Sequence, residues 1–102
     1  HNEEIFGPIL PINTFGTVEE GLKLANETPY GLAAYVITDD METAIRAYEG
    51  LRFGVIGVNE TVPATAEAPF GGLKQSGYGH EGGVEGLQAY MDTKFVSITL
   101  KG

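Results

Sequence analysis

LAAYVIT, residues 32–38, is a nearly continuous apolar run with β-branched residues at its end, and VIGVN, residues 55–59, is a second. Runs of this length and composition suit strands buried on both faces, as in a parallel sheet. Between them, Asp39 and Asp40 offer an N-cap, and Met41, Ala44, Ile45 and Tyr48 are spaced along one face of a helix that closes at Gly50. Strand, helix, strand in this order makes a βαβ unit, so the fold class is α/β.

On its N-terminal side, ILPINTF, residues 9–15, reads as a short extended segment, because Pro8 and Pro11 oppose a helix while Ile9, Leu10, Ile12 and Phe15 supply apolar surface. Thr17 and Glu20 fit a capping box, and Val18, Leu22 and Ala25 form one stripe of a helix running to about Asn26, with Pro29 beyond it. The expected architecture is therefore a parallel βαβαβ sheet with flanking helices and right-handed crossovers. On the C-terminal side, residues 60–83 have no helical or strand periodicity and carry six glycines in their second half, at 71, 72, 77, 79, 82 and 83. A long, functional Gly-rich loop is expected there, with Pro69-Phe70 as an ordered anchor. Val84, Leu87 and Met91 predict a C-terminal helix, and Val96, Ile98 and Leu100 alternate with Phe95, Ser97 and Thr99 as an edge strand open to a partner subunit.

The chain has 102 residues, with 14 Asp+Glu against 6 Lys+Arg, a net charge of -8, and no cysteine. One domain is the expectation at this length, burying about 60–70% of the surface of the unfolded chain. The absence of cysteine removes disulfides, thiolate zinc sites, iron–sulfur clusters and a thiol nucleophile from this polypeptide. A negative chain with few, scattered cations is a poor partner for nucleic acid. No apolar run approaches the roughly 20 residues of a membrane span, and the N-terminus lacks a signal-peptide pattern, so no membrane partner and a cytoplasmic location are expected. The chain opens on His1 rather than Met, which reads as a trimmed or engineered end, and no chemistry is assigned to His1.

Four constellations could carry chemistry. GYGHEG, residues 77–82, matches G-x-G-x-x-G, but it follows a polar Gly-rich loop instead of a hydrophobic strand, and no acidic residue ends a second strand about 20 residues on. His80 and Glu81 lack a second His or Cys at ligand spacing, so no metal site is expected. Ser76, His80 and Asp92 make a triad only on paper, because Ser76 lacks the strand-to-helix elbow that exposes a nucleophile. The segment EEIFGP, residues 3–8, differs in kind: a carboxylate, a ring two residues later and a Gly-Pro turn can offer an acceptor for both ribose hydroxyls and a face for a flat heterocycle. The same residues also read as a turn with two exposed acids and a core Phe.

EEIFGP resembles the E-E-x-F-G-P signature of the NAD(P)-dependent aldehyde dehydrogenase superfamily. TPYGLAA at 28–34, GVN at 57–59 and PFGGLKQSGYGHEG at 69–82 follow in that family's order and approximate spacing. Asn59-Glu60 and the run from Glu67 to Gly72 are similar to the succinate-semialdehyde dehydrogenase branch. The resemblance implies NAD or NADP as cofactor, with Glu4 binding the nicotinamide-ribose hydroxyls and Phe6 packing near the nicotinamide. It implies that the loop from Glu60 to Phe70 closes the pocket for a small aldehyde, with Phe70 in its aromatic wall and Thr65 near the distal carboxylate of the substrate. Lys74 and the glycines after it become structural, and GYGHEG is then no pyrophosphate site. Residues 1–93 correspond to the end of a catalytic domain and residues 94–102 to an oligomerisation strand, giving a homo-oligomer. Family catalysis needs a Cys thiolate and a Glu-activated water, which precede the EEIFGP segment, so no catalytic residue is assigned and the isolated chain is expected to be inactive. The alternative expectation is a non-catalytic, oligomerising interaction module derived from that family.

Overall fold

A computed structural model describes residues 3–101; His1, Asn2 and Gly102 lie outside them. The first helix, α1 (Val18–Asn26), starts as its sequence dictates. Thr17 is the N-cap, and its hydroxyl accepts the Glu20 amide at 3.2 Å, while the Glu20 carboxylate reaches one residue past the usual capping-box position to accept the Gly16 amide at 2.9 Å. The second helix, α2 (Met41–Gly50), has Asp40 as its N-cap, whose carboxylate accepts both the Thr43 amide at 2.8 Å and the Thr43 hydroxyl at 2.5 Å. These bonds, the hydroxyl foremost, hold the Asp40 carboxyl below its ordinary range.

Strand β1 (Ala33–Val36) pairs in parallel with β2 (Val55–Val58), in the register Ala33↔Val55 through Val36↔Val58. α2 connects the two strands and packs on both, completing the βαβ unit. Two alanines of α2, Ala44 and Ala47, make up its buried face. α1 lies against α2, joined by an Arg46–Glu19 ion pair and by Asn26, whose side-chain amide donates to the Gly50 carbonyl at 2.8 Å and accepts the Arg52 amide at 2.9 Å. One asparagine at the end of α1 thereby holds the end of α2 and the chain leaving it.

Three sequence expectations need correction. Residues 9–15 form no strand: the sheet has two strands, not three. Pro8 and Pro11 lack the N–H groups a ladder needs, and the whole segment stays exposed, although the Phe15 ring lies over Gly21 of α1. Residues 94–100 form no strand either, because among the described residues no backbone hydrogen bond links them to any other segment, and Phe95, Val96, Ile98 and Leu100 are all exposed. Finally, β1 and β2 are mostly half-buried rather than covered on both faces, since α2 alone among the described elements packs on the sheet.

The radius of gyration, 19.1 Å, exceeds the roughly 13 Å of a compact chain this long, and the longest extent is 75 Å. α3 (Gly83–Gln88) follows the Gly-rich loop, which contains a 3-10 turn at Lys74–Ser76. Among the described residues, no helix is long and apolar enough to cross a membrane.

Candidate functional site

The Gly-rich loop is folded, not merely irregular. Its 3-10 turn is fastened to the chain entering β1. The Gly31 amide donates to the Ser76 hydroxyl oxygen at 2.8 Å, and the Gly31 carbonyl accepts both the Gly54 amide at 3.0 Å and the Leu73 amide at 2.9 Å. The Gln75 amide donates to the Pro29 carbonyl, and the Lys74 ammonium donates to the Thr28 carbonyl, each at 2.9 Å. That ammonium also sits 5.4 Å from the centroid of the Phe53 ring. TPYG and GGLKQS, far apart in sequence, thus form one clasp, with Lys74 as its cation. Gly31 is required at its centre, because a Cβ there would meet the Arg52 carbonyl oxygen at 2.7 Å.

Upstream of the clasp, residues 65–70 lie alongside residues 80–83. Phe70 and Glu81 exchange backbone hydrogen bonds of 2.7 and 2.8 Å, and the Gly83 amide donates to the Ala66 carbonyl at 2.9 Å. The amides of Glu81, Gly83 and Gly86 are therefore engaged within the chain, which ties the end of the GYGHEG segment and the start of α3 to residues 66–70 and to one another. Gly82, with φ 70, turns the chain where a side chain would strike the Ala68 carbonyl at 2.7 Å.

Two grooves of about 340 Å³ each flank the clasp, and Ser76 and Leu32 line both. Glu4 lines the first, together with Thr28, Tyr30 and Phe53. Phe6 is 93% exposed at φ 46, so it is not a core residue, and the alternative reading of EEIFGP as a turn with a core Phe fails on this point. Phe70 lines the second groove with Tyr78, His80 and Tyr90. Ser76 and His80 share that groove and Asp92 does not, so the Ser76–His80–Asp92 set is not assembled. No group of three or more metal-binding side chains gathers among the described residues.

Thr65 is exposed, and its hydroxyl donates to the Glu67 carboxylate. This bond is the chief reason that the Glu67 carboxyl lies below its ordinary range. Thr65 and Phe70 belong to one loop, but only Phe70 lines a groove; Glu4 lines the other, and Leu32 and Ser76 are shared by both. Sequence reasoning passed over Ser76, Gly31 and Asn59 as position-setting residues.

The aldehyde dehydrogenase family model matches residues 1–96, and the chain belongs to the aldehyde dehydrogenase family. It is 47% identical over 96 residues to the succinate-semialdehyde dehydrogenase of Paenarthrobacter nicotinovorans, a match covering 94% of this chain and 21% of that protein. It is also 43% identical over 95 residues to the peroxisomal aminoaldehyde dehydrogenase 1 of Pisum sativum, over 93% of this chain and 19% of that one. Among solved structures, the betaine aldehyde dehydrogenase of Staphylococcus aureus in complex with NAD+ superposes with a TM-score of 0.83 at 44% identity, over 87% of this chain and 18% of that chain. The chain spans about a fifth of the length of the curated relatives it matches.

Proposed function

We propose that this chain forms the part of an NAD(P)-dependent aldehyde dehydrogenase that contacts the nicotinamide ribose and walls the aldehyde pocket, in an enzyme oxidising an aldehyde to a carboxylic acid. The observation that carries the reading is the clasp, which sets the Glu4 groove and the Phe70 groove back to back across Ser76. The residues fit the cofactor: a carboxylate can accept from both hydroxyls of a ribose, and the exposed Phe6 ring offers a face to a flat heterocycle. The cofactor, NAD or NADP, would supply the hydride acceptor; Glu4 and Phe6 orient it. Phe70 supplies aromatic wall and Thr65 a hydroxyl toward the distal end of the substrate. Succinate semialdehyde is the substrate proposed, supported by the identity to a succinate-semialdehyde dehydrogenase. Binding its carboxylate requires the single Thr65 hydroxyl hydrogen to turn from Glu67 to the substrate.

With no cysteine in its sequence, the chain alone has no thiolate to attack an aldehyde. The test is a chimera in which this chain replaces the matching residues of the Paenarthrobacter nicotinovorans enzyme. Aldehyde-dependent NAD(P)H production by the chimera, with none from the isolated chain, is expected; activity in the isolated chain, or a folded chimera that binds neither cofactor nor aldehyde, overturns the proposal. Residues 1–93 would serve the catalytic domain, residues 94–102 the joining of subunits, and the cytoplasm is the compartment proposed.

A second reading is a non-catalytic module that oligomerises through its terminal segment. The exposed, unpaired Phe95, Val96, Ile98 and Leu100 favour it. Sedimentation that stays monomeric across a concentration series would refute association through this segment.

A further inference from the structure

We infer that Asn59 is the positioning residue of the substrate loop, fixing where residues 60–70 leave the sheet; this rests on the reading of that loop as a wall of the aldehyde pocket. Asn59 follows β2 directly, and its amide N–H extends the parallel ladder by donating to the Val36 carbonyl at 2.8 Å. Its side chain then does what one more strand residue would do. The carboxamide oxygen accepts the Thr38 amide at 2.9 Å, and the carboxamide nitrogen donates to the Thr38 carbonyl at 2.9 Å.

The sheet therefore ends in a side-chain clamp, which leaves the Asn59 backbone free to turn. It does so at φ 52, in the left-handed region that Asn tolerates better than other side-chain-bearing residues. The chain doubles back immediately: the Glu60 carbonyl occupies the space where a side chain at Gly57 would stand, and Gly57 is buried. Thr38 links this clamp to the helix as well, since its hydroxyl oxygen accepts the amide of Asp40, the N-cap of α2. One asparagine consequently fixes the start of the loop against both the sheet and α2, ahead of Thr65 and Phe70. Only Asn combines a donor, an acceptor and an accessible left-handed backbone; Asp lacks the donor, Ala lacks both, and Gly keeps only the turn.

Three variants, N59G, N59D and N59A, test this in the chimera described above and in the chain itself. In the chimera, N59G should raise KM for succinate semialdehyde about tenfold, the loss of two hydrogen bonds, while kcat stays within about twofold. N59D, which keeps the acceptor for the Thr38 amide, should fall between N59G and the parent. In the isolated chain, cleavage after Glu67 by a glutamate-specific protease should quicken in the order N59D, N59G, N59A, relative to cleavage after Glu85. Equal KM values for the parent and N59G overturn the inference, as does unchanged cleavage after Glu67. A chimera carrying Asn59 that oxidises no aldehyde refutes the proposed function instead, and the protease comparison still decides whether Asn59 sets the loop.

Discussion

Replacing Gly31 with Ala should break the clasp and with it most of the stability of the chain. The added Cβ would meet the Arg52 carbonyl oxygen at 2.7 Å, the Lys74 side chain at 3.1 Å and the Leu73 Cβ at 3.3 Å. The nearest of these is the backbone of the segment entering β2, which cannot rotate aside, so the β1 entry must shift away from it and disturb the bonds that Gly31 makes to Gly54, Leu73 and Ser76. Overpacking of this kind costs about 1–3 kcal/mol. Three hydrogen bonds converge on Gly31, from its amide to Ser76 and to its carbonyl from Gly54 and Leu73. Losing one or two of them adds about 0.5–1.5 kcal/mol each, for a total of about 1.5–6 kcal/mol. With a urea slope of about 1–1.5 kcal/mol/M for a chain of this size, the midpoint should fall by more than about 1 M. Circular dichroism through a urea titration reads it directly. The companion variant S76A removes only the acceptor of the Gly31 amide, and because both changes act on one bond their effects should be less than additive. An unchanged midpoint for G31A would show that the clasp contributes nothing, and strict additivity in the double variant would show that Gly31 and Ser76 do not act through one bond.

Three further outcomes are expected. N26A removes the bonds to Gly50 and Arg52 that hold α1 against α2, and should lower stability by about 1–3 kcal/mol in the same titration; an unaltered midpoint contradicts that coupling. The Asp40 carboxyl is held low by Thr43, so its stabilisation is complete above the ordinary Asp range and fades as pH falls through the lower folded value. An acid titration of helicity should show this loss in the parent and a flatter profile in D40N, whose cap does not ionise; parallel profiles would count against it. On the proposal that the terminal segment joins subunits, S97P, which removes a backbone N–H from it, should weaken any self-association about tenfold or more by sedimentation, whereas undiminished association would exclude pairing through this segment.

The helices were the most legible part of the sequence because their signals are local. Thr17 and Asp40 each cap within three residues, and the apolar stripes need no partner to be recognised. The parallel pairing of β1 and β2 was legible for a similar reason, since two apolar runs flank one helix. The ILPINTF segment and the terminal segment misled for the opposite reason: apolar content predicts a buried face, but a ladder also needs a neighbour with free N–H and C=O groups. The clamps of Asn26 and Asn59 were invisible because their partners lie 21 to 26 residues away. The roles proposed for Glu4, Phe6, Thr65 and Phe70 rest on motif rather than on hydrophobic pattern. What the motif could not supply was the Thr65–Glu67 bond, which decides where the one Thr65 hydrogen points.

The clasp also has a place in time. Its bonds from Gly31 to Ser76 and from Lys74 to Thr28 span 45 and 46 residues, whereas the register of the sheet joins residues 22 apart, as in Ala33↔Val55. Doubling the loop to be closed adds about 0.6 kcal/mol of chain entropy, and the clasp has no surface to dock on until the β1 entry is fixed. The βαβ unit should therefore assemble first and the Gly-rich loop fasten last, so that in the native state the same loop is the first unit to open. Among hydrogen-bonded amides, hydrogen exchange would then find Leu73 and Gln75 less protected than those of the paired strands. The two grooves would form together, in a single late event.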